Sequence, residues 1–313
     1  MNQMVLKNRN GWRRAVRTFR KNSQLLLLCI PSLVFTLLFH YIPIFGIILP
    51  FKQYRYVDGI FGSKWVGLKN FRVFFNTPDL ARLVRNTVGY SLWFMIIGTV
   101  MNVLVALMLY ELAGKKLQKL YQTAIMIPNF LSIVMVGYIT YAILNPSAGL
   151  FNQLLNNLGF SSIDVYSNPA YWPFILTIVS RWQGMNGYLI YYANLMSIDP
   201  LLFEAAAIDG ATRGQMRRYI SIPSLVPLLC MMTILSIGDL VSGDFGLFYQ
   251  IPRNVGALYE TTDIINTYVF RGLKSGNFTL SSAVGLMQSV ISLILILVTN
   301  LIVRKVSPEN SLF

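Results

Sequence analysis

Residues 199–223 read Asp199-Pro200-Leu201-Leu202-Phe203-Glu204-Ala205-Ala206-Ala207-Ile208-Asp209-Gly210-Ala211-Thr212-Arg213-Gly214-Gln215-Met216-Arg217-Arg218-Tyr219-Ile220-Ser221-Ile222-Pro223. Asp199 can cap a helix whose first position is Pro200, because proline is pre-set for a first turn and loses no needed donor there. That helix carries Glu204 and ends near Gly210, where glycine tolerates the reversing turn. A second helix from Ala211 then runs through Arg213, Arg217 and Arg218 and enters an apolar run at Pro223. The alanines give a smooth face that another protein's surface can approach closely. A helix-turn-helix held between two apolar runs is a lever and not a reactive centre.

The chain around this loop is built for a bilayer. Of 313 residues, 55% are hydrophobic and only 12% charged, with a mean hydropathy of +0.54, far from an ordinary soluble domain. A helix needs about 20 apolar residues to cross the hydrocarbon core. Residues 25–51, 86–110 and 219–238 hold no Asp, Glu, Lys or Arg, and neither does 275–303, whose densest part is 280–303. Residues 120–163 carry no charge at all, and their most apolar part, 123–143, is a further span. The stretch 171–198 is interrupted by one charge, Arg181. Six transmembrane helices are therefore expected within 25–303, with 1–24 and 304–313 as tails and 199–223 as the loop between the fourth and fifth spans.

The tail 1–24 is basic, with Lys7, Arg9, Arg13, Arg14, Arg17, Arg20 and Lys21. The apolar run behind it is too long for a signal peptide and lacks a small-residue cleavage site, so the tail is read as resting on the anionic cytoplasmic leaflet. With that end inside, the inner segments hold 15 Lys and Arg and the outer ones 10. The first outer loop, 52–85, carries seven of those ten and opposes the rule. Nothing in the sequence accounts for it. The same orientation places Glu204 in the cytoplasm.

Several function classes are excluded or disfavoured. The net charge of +14 flanks the spans instead of forming one stripe with interleaved aromatics, so nucleic acid is not a partner. Cys29 and Cys230 sit in apolar spans as small hydrophobes, and the one histidine, His40, sits in the first span, so no metal site is expected. No G-x-x-x-x-G-K-[ST] phosphate loop occurs, so the chain has no P-loop for ATP. No hydrophilic segment is long enough for a separate domain. A lever without an engine implies that the engine is another polypeptide.

The stretch Glu204-Ala205-Ala206, Gly210, Ile220 and Pro223 has the spacing EAA-x3-G-x9-I-x-I-P. It resembles the cytoplasmic coupling motif of the permease subunits of binding-protein-dependent ABC importers. Trp65-Val66-Gly67-Leu68-Lys69-Asn70-Phe71, followed by Asn86-Thr87 at the second span, is similar to a segment of the sugar-importer permeases in the maltose-type superfamily. Phe39-His40-Tyr41-Ile42-Pro43-Ile44-Phe45-Gly46, Asp263-Ile264-Ile265-Asn266-Thr267-Tyr268-Val269-Phe270-Arg271 and Ser311-Leu312-Phe313 resemble the branch for complex polysaccharides and oligosaccharides. Asn266 departs there from an acidic position.

The resemblance implies an all-α, integral membrane, six-transmembrane-helix type I ABC importer permease fold in a bacterial cytoplasmic membrane, with both termini cytoplasmic. It implies a second permease, identical or a paralogue, two ATPase subunits that hold ATP and Mg, and an extracytoplasmic solute-binding protein that delivers a sugar. By the same resemblance this chain is expected to bind no cofactor of its own and not to be an enzyme. Glu204, Ala205, Ala206, Gly210, Ile220 and Pro223 are the expected ATPase-coupling residues.

Candidates for the solute path are Gln183, Asn186, Tyr188, Tyr192 and Asn194 in the fourth span. Polar groups inside a membrane helix face a bundle interior or a water-filled cavity, and aromatic faces and amides suit a sugar's C–H surfaces and hydroxyls. Interface belts and helix glue use the same residue types. Asp239 and Asp244, just past the fifth span, are read as shaping an outer mouth. A secondary transporter driven by an ion gradient is the alternative; it would show paired broken helices with buried acids at mid-span, and no such pair is legible. A membrane-embedded enzyme fits less well, with one histidine and no HExxH or GxSxG.

Overall fold

The computed structural model describes residues 23–306, so the basic tail up to residue 22 and Ser311-Leu312-Phe313 lie outside the described residues. The chain divides into two units, Met1–Gly67 and Leu68–Phe313.

In the first unit, α1 (Ser23–Thr36) continues as a π turn over Leu37–Tyr41 and a 3-10 segment over Ile42–Phe51. The π turn is closed by the Ile42 N–H on the Leu37 carbonyl, and Pro43 follows at once. Proline has no N–H and its ring crowds the carbonyl four residues back, and a wider turn accommodates both defects. Beyond it, β1 (Lys52–Gln53) pairs antiparallel with β2 (Lys64–Trp65), Lys52 opposite Trp65. The rings of Phe51 and Trp65 stack at 5.5 Å. Lys52 Nζ donates to the Phe61 carbonyl at 2.6 Å, so one of the unexplained positive charges closes this hairpin.

The second unit is helical. Its long helices are α2 (Asp79–Glu111), α8 (Ile222–Gly238) and α10 (Phe278–Val306). Among the described residues, four helical stretches are long and apolar enough to cross a membrane: Leu27–Phe51, Asp79–Glu111, Arg213–Gly238 and Phe278–Leu301. The other two expected spans arrive in pieces. For 123–143 the chain makes α3 (Lys115–Met126), a 3-10 turn, then α4 (Ile133–Leu144), bent by 95° at the break. Pro128 starts the disruption, and Ser132 caps the new helix by accepting from the Met135 N–H at 3.2 Å. For 171–198 it makes α5 (Trp172–Gln183) and α6 (Tyr188–Met196), each short of the roughly 20 residues a span needs.

Three apolar clusters hold this unit together. Ala106, Leu107 and Leu109 of α2 pack with Tyr188, Tyr191 and Leu195 of α6 and Leu225 of α8. Val136, Trp172, Leu176, Phe248, Ile251 and Leu258 form the second. Phe74, Leu83, Val241, Ile265 and Val284 form the third, against α10. Large apolar residues such as Met108 and Leu293 stay exposed, as expected of helices apolar all round.

A polar clasp ties the start of α2 to α9 (Ile265–Lys274). The fully buried Asp263 pairs with Arg271 at 2.7 Å and Arg82 at 3.2 Å, and the Thr267 hydroxyl donates to it at 2.8 Å. Asn86 Nδ2 donates to the carbonyls of Asp263 at 3.0 Å and Glu260 at 2.9 Å. Thr87 Oγ1 accepts from the Ile265 N–H at 3.0 Å. Burial pushes the neighbouring Tyr268 phenol above its ordinary pKa, and the carboxylates of Asp79 and Asp263 add to that. Arg85 reaches the Glu260 carbonyl at 2.9 Å. Lys52, Arg82 and Arg85 therefore have structural employment, which accounts for part of the charge in the loop 52–85.

Candidate functional site

The loop 199–223 is shaped by local hydrogen bonds. Asp199 accepts from the Leu201 N–H at 3.0 Å, and Pro200 opens α7 (Pro200–Ile208). The helix closes with Gly210 N–H on Ala207 O at 3.1 Å and Ala211 N–H on Ala206 O at 2.9 Å. This pair of bonds is a Schellman close, which places its glycine in the left-handed region, and Gly210 has φ +78°. Ala211 is consumed by that turn, so the second helix starts later than expected. Thr212 caps it: its hydroxyl accepts from the Gln215 N–H at 3.4 Å, while the Gln215 side chain accepts from the Thr212 N–H at 2.7 Å. From Arg213 the chain stays helical to Gly238. It passes through a π turn over Arg217–Ser221, closed by the Ile222 N–H on the Arg217 carbonyl. Ile220 lies in that turn and Pro223 just beyond it, repeating the Ile-Pro arrangement at 42–43.

The face offered outward is mixed. Glu204 and Ala205 are exposed and Ala206 is half-buried, while Leu201, Leu202 and Ile208 are 65%, 54% and 87% exposed. Among the described residues Glu204 has no ion-pair partner. A carboxylate without an ion pair thus stands beside exposed leucines and an isoleucine. The inner side is anchored to the end of α2. Phe203 lies 6.0 Å from the Tyr110 ring, and Arg217 Nε donates to Glu111 Oε1 at 2.6 Å, with Nη2 on Oε2 alongside. Gln118 closes the α2 end by donating to Leu109 O and Leu112 O at 3.2 and 3.0 Å.

The solute-path candidates lie on both sides of the break between α5 and α6. Gln183 Nε2 donates to the Leu131 carbonyl at 2.9 Å, so the amide stitches one broken span to the bend of the other. Tyr188 is fully buried in the α2–α6 core, its hydroxyl 3.5 Å from the Gln122 carbonyl; that burial leaves it no surface for a solute. Tyr192 is half-buried against the same cluster. Asn186 is exposed at the break, and Asn194 Oδ1 is buried without a hydrogen-bond partner. Asp239 and Asp244 line a cavity of about 650 Å³ together with Ser91, Phe94 and Ser236.

The break itself escapes a count of apolar residues. Its signal is Gly184-Met185-Asn186-Gly187, two glycines and an asparagine in four positions. The α2 helix fits it with two side-by-side contacts, Gly98 and Asn102 being four apart on one face. A Cβ on Gly98 would collide with the Arg181 guanidinium, and one on Gly187 would meet Asn102 Nδ2. Arg181 and Asn102 each occupy space left by a glycine.

Comparison with known proteins places this geometry. The family described as binding-protein-dependent transport system inner membrane component matches residues 96–310. The chain belongs to that family. The match takes in the second part of α2, both broken spans, the loop 199–223 and α10. The polygalacturonan/rhamnogalacturonan transport system permease YteP of Bacillus subtilis (strain 168) is 34% identical over 289 residues, covering 91% of this chain and 89% of YteP. A chain from the crystal structure of a bacterial ABC transporter involved in import of the acidic polysaccharide alginate superposes with TM-score 0.83 at 29% identity, covering 94% of this chain and 99% of the other. A chain from the alginate transporter in complex with an alginate pentasaccharide-bound periplasmic protein gives 0.81 at 29%, with 93% and 97% covered. As a family member the chain is a membrane transport component with the all-α permease fold of ABC importers.

Proposed function

We propose that this chain is one of two permease subunits enclosing the path of an ABC importer for an oligosaccharide or polysaccharide-derived sugar. Two separate ATPase subunits bind and hydrolyse ATP, and an extracytoplasmic binding protein delivers the solute. The observation that carries the reading is the loop 199–223. It is a capped, tightly turned helix pair with exposed leucines and a Glu204 that makes no ion pair among the described residues, in a chain of this transport family. The arginine-clasped end of α2 gives that loop a direct mechanical connection to a membrane helix. The names of the relatives, which refer to polygalacturonan, rhamnogalacturonan and alginate, support a saccharide solute.

In this mechanism ATP closes the ATPase pair, α7 follows it, and α2 and α8 carry the motion to the broken spans. Ala205 and Ala206 allow close approach, Gly210 sets the angle between the two helices, and Ile220 and Pro223 fix the re-entry into the membrane. The chain sits in the bacterial inner membrane with both termini and the loop in the cytoplasm. Asn186, Gln183, Tyr192 and Asn194 flank the path at the break. The test is biochemical. The purified chain alone hydrolyses no ATP, whereas coexpression with its ATPase yields a complex with two nucleotide sites. Robust hydrolysis by the isolated chain rejects the reading.

A further inference from the structure

Arg181 is the only Asp, Glu, Lys or Arg within the six expected spans. It is the ninth residue after Trp172, so it lies about 14 Å along the helix at 1.5 Å per residue, in the middle part of the expected span 171–198. It sits two residues before the break that separates α5 from α6. A permanent charge at that depth is costly against lipid and persists where it meets a partner or water.

Among the described residues no carboxylate supplies the partner, since Arg181 makes no ion pair there. Its Nη2 donates to Ser180 Oγ at 2.8 Å, and its Nε is buried with no hydrogen-bond partner among the described residues. The guanidinium lies 5.7 Å from the Phe94 ring centroid, and Phe94 also lines the 650 Å³ cavity. The acids of that cavity, Asp239 and Asp244, make no ion pair with it. Gly98 leaves the space the guanidinium occupies. The backbone of α2 is thus shaped around a half-buried cation whose donors are not all used.

We infer that Arg181 is the charge-selecting residue of the translocation path, and that the solute it selects is an acidic oligosaccharide carrying uronate carboxylates. This deepens the importer reading and rests on it. A guanidinium stays charged at any physiological pH and offers only donors, in a planar fork that matches a carboxylate. A neutral sugar hydroxyl can take one of those donors; a carboxylate can take two and also neutralise the charge. The last turn of α5 holds Arg181 at a helix C-terminus, where a cation is favoured, so the site survives between transport cycles when no solute is present.

The experiment uses the whole importer, with both permeases, the ATPase and the binding protein, reconstituted in proteoliposomes. Uptake of trigalacturonate is compared with uptake of the neutral galactotriose, and assembly is read as copurified ATPase. The wild type is expected to prefer trigalacturonate. Arg181→Gln should assemble normally and lower the acidic-to-neutral uptake ratio by about ten- to a hundredfold, the range for losing a charge-assisted hydrogen bond. Arg181→Lys, which keeps the charge without the fork, should restore part of that ratio. Failure of the wild type to take up trigalacturonate overturns the inference, as does a glutamine variant with an unchanged ratio or an equal loss on both sugars. Absence of copurified ATPase in the wild type would instead reject the importer reading.

Discussion

Arg217 grips Glu111 with two nitrogens, Nε on Oε1 at 2.6 Å and Nη2 on Oε2, joining the loop 199–223 to the last residue of α2 across 106 positions of chain. The pair is partly solvent-exposed, with side-chain exposures of 46% and 31%, so solvent screening keeps its contribution to stability small. Its value is geometric. Glu111→Gln should leave thermal unfolding nearly unchanged while raising the ATP hydrolysed per solute imported. The exchanged pair Glu111→Arg with Arg217→Glu should recover much of the coupling. A single variant with wild-type stoichiometry of ATP to solute would show that the grip transmits nothing.

Asp263 behaves differently because it is fully buried between two arginines. Asp263→Ala leaves Arg271 and Arg82 facing each other without a counter-charge. Breaking a buried pair in this way costs about 3–5 kcal/mol. The measurable outcome is a large fall in the unfolding temperature in detergent and a low yield of assembled complex. Asp263→Asn keeps a hydrogen-bond acceptor and should fall between the two. Wild-type stability for the alanine variant would mean that the clasp is ornamental.

Gln183 donates to the carbonyl of Leu131 at 2.9 Å, where the bend between α3 and α4 leaves backbone groups outside a helix ladder. Gln183→Ala orphans that carbonyl and should cost about 1–3 kcal/mol, loosening both broken spans together. Hydrogen exchange at residues 127–133 and 183–188 should rise in parallel. Acceleration at one break alone would show that the two are not mechanically joined.

Much of the loop 199–223 was legible because its determinants are local. Asp199, Pro200 and Gly210 each act within four residues, and the helix they specify is present. The start of the second helix was misplaced by two residues, although Thr212-Arg213-Gly214-Gln215 carries the capping-box spacing. The long helices followed from the length of uncharged runs. The two broken spans did not, because apolarity reports what a segment can dissolve in and is blind to where its backbone turns. Glycines at 184 and 187 and Pro128 held that information. Partners far apart in sequence, Glu111 with Arg217 and Asp263 with Arg82, have no signature in composition, and the employment of Lys52, Arg82 and Arg85 became visible only with their acceptors in place.

The orientation in the membrane can be read by labelling. A cysteine at Gln215 should react only from the cytoplasmic side, and one at Ser147 with an impermeant reagent from outside. The seven positive charges of the loop 52–85 make the test stringent. Those bound to carboxylates and carbonyls, as Arg82, Arg85 and Lys52 are, are committed to the folded structure. An inverted labelling pattern would show that they nonetheless govern insertion.

The final prediction separates the turn from the charge in the loop itself. Gly210 has φ +78° and open space where a Cβ would stand, so alanine there meets no neighbour and is opposed only by backbone strain, about 1–2 kcal/mol for a left-handed non-glycine residue. Gly210→Ala should therefore insert and assemble with reduced uptake. Gly210→Trp adds a bulky side chain on the outward face and should abolish uptake. Glu204→Lys leaves the helix pair intact, since Glu204 makes no ion pair among the described residues, but it reverses the sign of the charge presented to the ATPase. It should weaken copurification of the ATPase and stop uptake while capture of solute by the binding protein is unaffected. Copurified ATPase and uptake are to be measured on the same membranes, because loss of uptake with full copurification would assign Glu204 to transmission of the stroke and not to docking. Normal uptake by both the tryptophan and the lysine variants would make the loop a mere connector and remove the main support for an ATP-driven importer.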